Sequence, residues 1–153
     1  MSTVHRAPLS SAAQVFVAEE DDVLRAEIAR ALRQDGYTVI ESADGASLIA
    51  QLEARLARPG ARRSLVIAQA RLPGVAALPI LHSLRRLDIQ IPVILLTRLQ
   101  DPALPDLARG AGASAVFVKP IVMAELRRTV AAIANDAGAV TSAIVADRER
   151  GSE

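Results

Sequence analysis

Four stretches of this chain carry residue types that could do chemistry together. The run Val15-Phe16-Val17-Ala18 ends in four consecutive acids, Glu19-Glu20-Asp21-Asp22. The run Leu65-Val66-Ile67-Ala68 ends in an amide, Gln69, and turns at Pro73-Gly74. "IPVILLT" ends in the hydroxyl of Thr97, and "SAVFVKP" ends in Lys119-Pro120, where Lys119 is the only lysine of the chain. Clustered carboxylates are the hard oxygen ligands that Mg²⁺ takes. Lysine is a compact cation suited to carboxylates or phosphoryl oxygens. A carboxylate can serve as a nucleophile, whereas Gln69 carries a neutral amide and is a poor one.

These residues act as a group only if the fold gathers them. Each terminates a short apolar run, the pattern of a strand covered on both faces in a parallel sheet. "YTVIES" reads as a further strand by its β-branched content. Helical segments alternate with the strands. "VLRAEIARALRQDG" places Val23, Leu24, Ile28, Ala31 and Leu32 on one stripe, with Asp21 or Asp22 as cap and Gly36 as stop. "ADGASLIAQLEARLA" is capped near Asp44 and carries Leu48, Ile49, Leu52 and Leu56 on one side. "ALPILHSLRRLD" tolerates Pro79 only in its first turn. "QDPALPDLARGAG" predicts a short helix disturbed by Pro102 and Pro105, and "IVMAELRRTVAAIANDAG" a longer one.

Strand–helix alternation with short connections implies an α/β fold. The expected form is a flavodoxin-like (βα)5 three-layer sandwich with parallel strand order 2-1-3-4-5. The carboxyl ends of the first and third strands then flank the switch point. Glu19 and Glu20 meet Gln69 there, with Thr97 and Lys119 at the ends of the next two strands. Residues 1–13 read as a flexible leader, 14–135 as the domain, and 136–153 as a frayed or partly helical tail, with "RPGARR" a basic connector.

Composition removes several function classes. The chain has 153 residues and a hydrophobic share of 51%, enough for one well-buried domain. Aromatics are only 2%, too few for a base-stacking platform, and a net charge of +1 gives no strong field for nucleic acid or membrane. Arg62-Arg63 and Arg85-Arg86 read as solvated loop and helix charges, His82 as a surface histidine, and His5 as part of the leader. Cysteine is absent, which excludes disulfides and thiolate metal sites. No signal peptide or long apolar run is present, so a cytoplasmic protein is expected.

From about Val15 to Ala134 the chain resembles the receiver domain of two-component response regulators. The resemblance rests on "VFVAEEDD", "DGYTVIESADG", "LPG", "IPVILLT" and "GASAVFVKP", in order and at matching spacings. It implies a site with assigned roles. In that family an Asp ending the third strand accepts phosphate from a histidine kinase; counting back five residues from Gly74 gives Gln69. The acids after the first strand hold Mg²⁺, and the Thr and Lys, here Thr97 and Lys119, contact phosphoryl oxygens. An aromatic three residues before the Lys follows the Thr inward, and its position holds Val116.

Three positions depart from the pattern. Gln69 lacks the nucleophilic oxygen. Glu20 stands where the family has an Asp, and its extra methylene displaces the carboxylate although Mg²⁺ demands near-ideal geometry at about 2.0–2.1 Å. Val116 has no ring to swing. The resemblance therefore implies an atypical receiver that keeps the fold and lacks the phosphoacceptor.

The expected function is phosphorylation-independent protein–protein interaction, with no catalysis. The partner would be a histidine kinase, another response regulator or a second copy of the chain. Family members dock partners on the face made by the fourth helix, fifth strand and fifth helix, which implies Arg109, Ala113 and Pro120 here. No cofactor or metal is expected, with Glu19 and Glu20 as weak Mg²⁺ candidates. Glu19, Glu20 and Asp21 read as an acidic pocket that caps a helix. Lys119 is expected to neutralise Glu19 and Glu20 and to donate to Gln69, and Thr97 to hydrogen-bond at its strand end. The alternative is phosphotransfer at Glu19 or Glu20 with Mg²⁺. A small-ligand site at the vacated position is a third reading, against which the acids argue for nucleotides and flavins. Only about 19 residues follow Ala134, so no attached DNA-binding domain is expected within the chain.

Overall fold

The computed structural model describes residues 13–58, 63–87, 89–98 and 102–135. The tail, the leader apart from Ala13, and most of the basic connector lie outside the described residues. Strands β1 (Gln14–Ala18), β2 (Thr38–Ser42), β3 (Ser64–Gln69), β4 (Val93–Thr97) and β5 (Ala115–Val118) form one sheet in the order β2-β1-β3-β4-β5. All four pairings are parallel. Helices α1 (Asp22–Gln34), α2 (Gly45–Leu56), α3 (Ala77–Arg86), α4 (Leu104–Gly110) and α5 (Met123–Asn135) alternate with them. This is the architecture expected from the alternating segments.

The two sheet faces bury separate cores, and the alternation of side chains along each strand sorts them. Val15, Val17, Ile67, Ile94, Leu96 and Phe117 pack against Ile28, Ala29 and Leu32 of α1 and Leu126, Val130 and Ile133 of α5. Phe16, Ala18, Val66, Ala68, Leu95 and Val116 pack against Leu48 and Leu52 of α2, Leu81 and Leu84 of α3 and Ala108 of α4. Arg127 of α5 grips both carboxylate oxygens of Asp35 at 3.0 and 2.6 Å, joining α5 to the end of α1, and this bonding raises the arginine's pKa.

Local chemistry sets the helix ends. Asp21 caps α1, accepting from the N–H groups of Val23 and Leu24. Gly36 follows the helix at φ 100°, a conformation that disfavours side chains. Asp44 caps α2 by accepting from Ser47 N–H. Pro79 lies in the first turn of α3 as expected, and Pro105 at the start of α4, while Pro102 precedes that helix.

Three side chains differ from the helical and charge patterns. Val23, in the first turn of α1, is 69% exposed, and Ala29 is buried instead. Leu56, the last residue of α2, is 39% exposed. Arg85 is not a solvated helix charge. Its guanidinium donates to the carbonyls of Ile89, Ile91 and Gly112 at 2.6, 2.9 and 3.2 Å, tying the end of α3 to the turn between α4 and β5. Its burial pushes its pKa down.

Candidate functional site

The parallel sheet sends all five strands out at one edge, and the order reversal beside β1 and β3 opens a crevice there. β3 is central and buried over its whole length, so its last residue reaches the crevice with little freedom. That residue is Gln69, itself only 5% exposed. Glu19 and Glu20 follow β1, Thr97 ends β4, and Lys119 follows β5. The structure thus brings Glu19, Glu20, Gln69, Thr97 and Lys119 to the same edge of the sheet.

The bonding within the crevice is specific. Gln69 and Glu20 hold one another reciprocally: Glu20 N–H donates to Gln69 Oε1, and Gln69 Nε2 donates to Glu20 Oε2, both at 2.9 Å. Gln69 Nε2 also donates to the carbonyl of Arg71 at 2.9 Å, so both ends of the carboxamide are engaged. This arrangement requires an amide. A carboxylate at position 69 would have no N–H to offer Glu20 and would face it with like charge.

Glu19 is fully buried. Its Oε2 accepts from Asp21 N–H at 3.0 Å, and Lys119 Nζ lies 2.9 Å from its Oε1. The lysine supplies that oxygen's counter-charge without the angular geometry of a hydrogen bond. The expected partnership of Lys119 is therefore narrowed: its ion pair is with Glu19 and not with Glu20 or Gln69, and Glu20 instead accepts a hydrogen bond from the Gln69 amide. Arg25 braces the same loop, donating to the Glu19 carbonyl at 2.7 Å and to Asp22 at 2.6 Å. The bond to Asp22 leads the causes that raise the Arg25 pKa.

These residues do not fit an octahedral Mg²⁺ ion. Both Glu19 oxygens and one Glu20 oxygen are already committed, and the amide N–H of Gln69 points at the carboxylate a cation would have to take. Among the described residues, no group of three or more His, Asp or Glu side chains gathers as metal ligands.

A cavity of about 260 Å³ opens beside this network, lined by Glu20, Gln69, Ala70, Arg71, Leu96, Thr97, Arg98 and Lys119. Arg71 and Arg98 were missed by reading the sequence for reactive types, since arginine is common in the chain. The available signal was positional: each stands one or two residues past a strand's carboxyl end, where the topology places a crevice wall. Thr97 Oγ1 makes a long 3.4 Å bond to the Arg98 carbonyl.

The expected docking face is assembled only in part. Arg109 on α4 and Pro120 after β5 are exposed. Ala113 is 2% exposed and packs in the core beneath α3 and α4, so it offers a partner no surface; a methyl group in a tight turn beside the sheet is drawn inward. Val116 is buried at 5% and Phe117 points into the opposite core, so no ring occupies the aromatic position of the resemblance.

Residues 15–131 match the family model of the response regulator receiver domain. The chain belongs to that family. It is 32% identical over 129 residues to a probable transcriptional regulatory protein, TcrX, of Mycobacterium tuberculosis, covering 83% of this chain and 52% of the relative. It is likewise 32% identical over 117 residues to the transcriptional regulatory protein PdtaR of the same species, covering 74% and 52%. The chain thus spans about half the length of these curated relatives. Among solved structures, a receiver domain protein from Clostridium thermocellum superposes with a TM-score of 0.72 at 20% identity, covering 80% of this chain and 94% of that one. A response regulator from Chloroflexus aurantiacus gives 0.69 at 24% identity, covering 80% and 97%. At these identities the structural likeness establishes the fold. Among the described residues no helix is long and apolar enough to cross a membrane.

Proposed function

We propose that this receiver domain is a pseudo-receiver, acting in cytoplasmic signal transduction by protein–protein interaction that needs no phosphorylation, no metal and no catalysis. The observation that carries this reading is the reciprocal Gln69–Glu20 pair. The position of the phosphoacceptor holds a neutral carboxamide whose hydrogen-bonding groups are engaged by Glu20 and Arg71. An acyl phosphate needs an ionised oxygen at that point. Neither acid of the alternative reading is well placed to replace it, because Glu19 is sealed from solvent and paired with Lys119, and Glu20 is held by Gln69.

The partner is a histidine kinase, another response regulator or a second copy of the chain. It docks on the exposed part of α4 and the β5–α5 connection, with Arg109 and Pro120 at its surface. Incubation with acetyl phosphate and Mg²⁺ followed by intact-mass measurement tests the reading. The expected spectrum is unchanged. A gain of one phosphate that disappears in Glu19→Gln or Glu20→Gln would establish the alternative instead.

A further inference from the structure

We propose that the apolar recess at the amino-terminal edge of the sheet is the docking site for this chain's own carboxy-terminal segment, with Ile144 and Val145 seated in it and Asp147 and Glu149 against its arginine rim. This goes beyond the interaction reading above and does not depend on it.

The recess has a volume of about 300 Å³ and lies at the opposite end of the strands from the crevice, where Ser64 begins β3 and Pro92 precedes β4. Leu65, Ile89, Ile91, Pro92 and Ile133 make its surface apolar, and Leu56 at the end of α2 adds a half-exposed wall. Contiguous apolar surface open to water marks a place where something binds. Charge narrows what that is. Among the described residues that line the recess there are two arginines, Arg55 and Arg63, and no acid. Arg55 is fixed at the wall by donating from Nε to Ser64 Oγ at 2.7 Å, a bond to a neutral hydroxyl that leaves its positive charge in place. Arg63 stands just before β3 and is exposed. The recess therefore suits a segment that is apolar and then acidic.

The chain carries such a segment at the right place. Ile133 and Ala134 of α5 line the recess, so the residues after Asn135 set out from its wall. Ala143-Ile144-Val145-Ala146 is an uncharged apolar run, and Asp147 is the first charge beyond it. Eight residues, 136–143, separate Ile144 from α5, a tether of up to roughly 26–29 Å when extended. Gly138 lies within it, a residue type that admits the φ values a reversal needs. In an extended segment Val145, Asp147 and Glu149 share one face, and Arg148 and Arg150 take the other. A short tether also raises the effective concentration of the segment at the recess, so a modest contact suffices. The leader reaches the same recess through Ala13, but residues 1–12 hold Arg6 and no acid, which the arginine rim repels.

The test is paramagnetic broadening in the full chain. The chain has no cysteine, so Gly151→Cys places a nitroxide at a single position beyond the docking segment. The expected result is loss of amide intensity at Leu65, Gln90 and Ile91, with Gln69, Thr97 and Lys119 at the opposite edge unaffected. Adding Ile144→Asp with Val145→Asp keeps the tether and should restore the lost intensities; Asp147→Lys with Glu149→Lys should restore them in part. The spectrum itself reports that each variant is folded. No broadening at the recess, or equal broadening with and without the paired Asp substitutions, would overturn the proposal. So would broadening in a mixture where the nitroxide and the observed amides are on different chains, which would make a second copy the occupant. A Thr3→Cys label that broadens these amides while the Gly151→Cys label does not would assign the recess to the leader instead.

Discussion

The two halves of the crevice are built on different principles. On the β1–β3 side, Glu20 and Gln69 close on one another, the Arg71 carbonyl accepts from Gln69, and the Asp21 N–H and the Arg25 guanidinium hold the neighbouring Glu19. On the β4–β5 side, Thr97 has a 3.4 Å bond and Lys119 a single ion pair, and the cavity opens beside them. The closed half is where acids could have held a cation; the open half is where donors face solvent. The difference teaches that one uncharged residue at the end of a central strand can engage a neighbouring acid that would otherwise face the crevice unpaired. The donors opposite need not change.

The contrast can be broken most severely at its hinge. Lys119→Met removes the ammonium paired with the buried Glu19 carboxylate, and unfolding in urea should show a loss of about 3–5 kcal/mol, the cost of stranding one member of a buried pair. Pairing it with Glu19→Gln should recover much of that loss. Full stability in the single variant would mean that the lysine does not neutralise Glu19.

A smaller effect is expected at the wall supporting the closed half. A Cβ on Gly45 would lie 2.6 Å from the Val75 carbonyl oxygen and 2.7 Å from Val75 Cβ, while Gly45 N–H donates to Pro73. Gly45→Ala should cost about 1–3 kcal/mol, the range of overpacking, and should disturb the amide signals of the β3–α3 loop.

Gln69→Leu tests the closure directly. It leaves the Glu20 N–H and the Arg71 carbonyl without their partner, at a cost of about 1–3 kcal/mol. Gln69→Asp should sharpen the comparison instead. The variant gathers like charges beside Glu20, loses stability in EDTA and regains it on adding Mg²⁺, whereas the Tm of the natural chain stays the same in both conditions.

The smallest effect concerns a helix end away from both halves. Ser47 N–H holds the Asp44 carboxyl below its ordinary range. A carboxyl with a depressed folded-state pKa contributes stability above its unfolded pKa and loses that contribution as pH falls through the folded one. Asp44→Asn should therefore flatten part of the acid limb of the stability–pH curve, with its loss of stability at neutral pH and little change below the folded-state pKa. A matching loss at all pH values would locate the effect in the cap geometry, not the charge.

What the sequence determined by itself was the alternation of strand and helix, the strand order, and the gathering of Glu19, Glu20, Gln69, Thr97 and Lys119 at one edge. Those follow from local periodicity and from the limited ways a parallel sheet can be wound. Tertiary structure alone decided how these groups divide their bonds: Lys119 with Glu19, Gln69 with Glu20, Arg85 into the carbonyls of a distant turn, and Ala113 inward. It also placed Arg71 and Arg98 around one cavity. Residue spacing locates a side chain along its strand. Which of several hydrogen-bonding partners it meets depends on distances of a few tenths of an ångström between chain segments far apart in sequence, and only packing sets those.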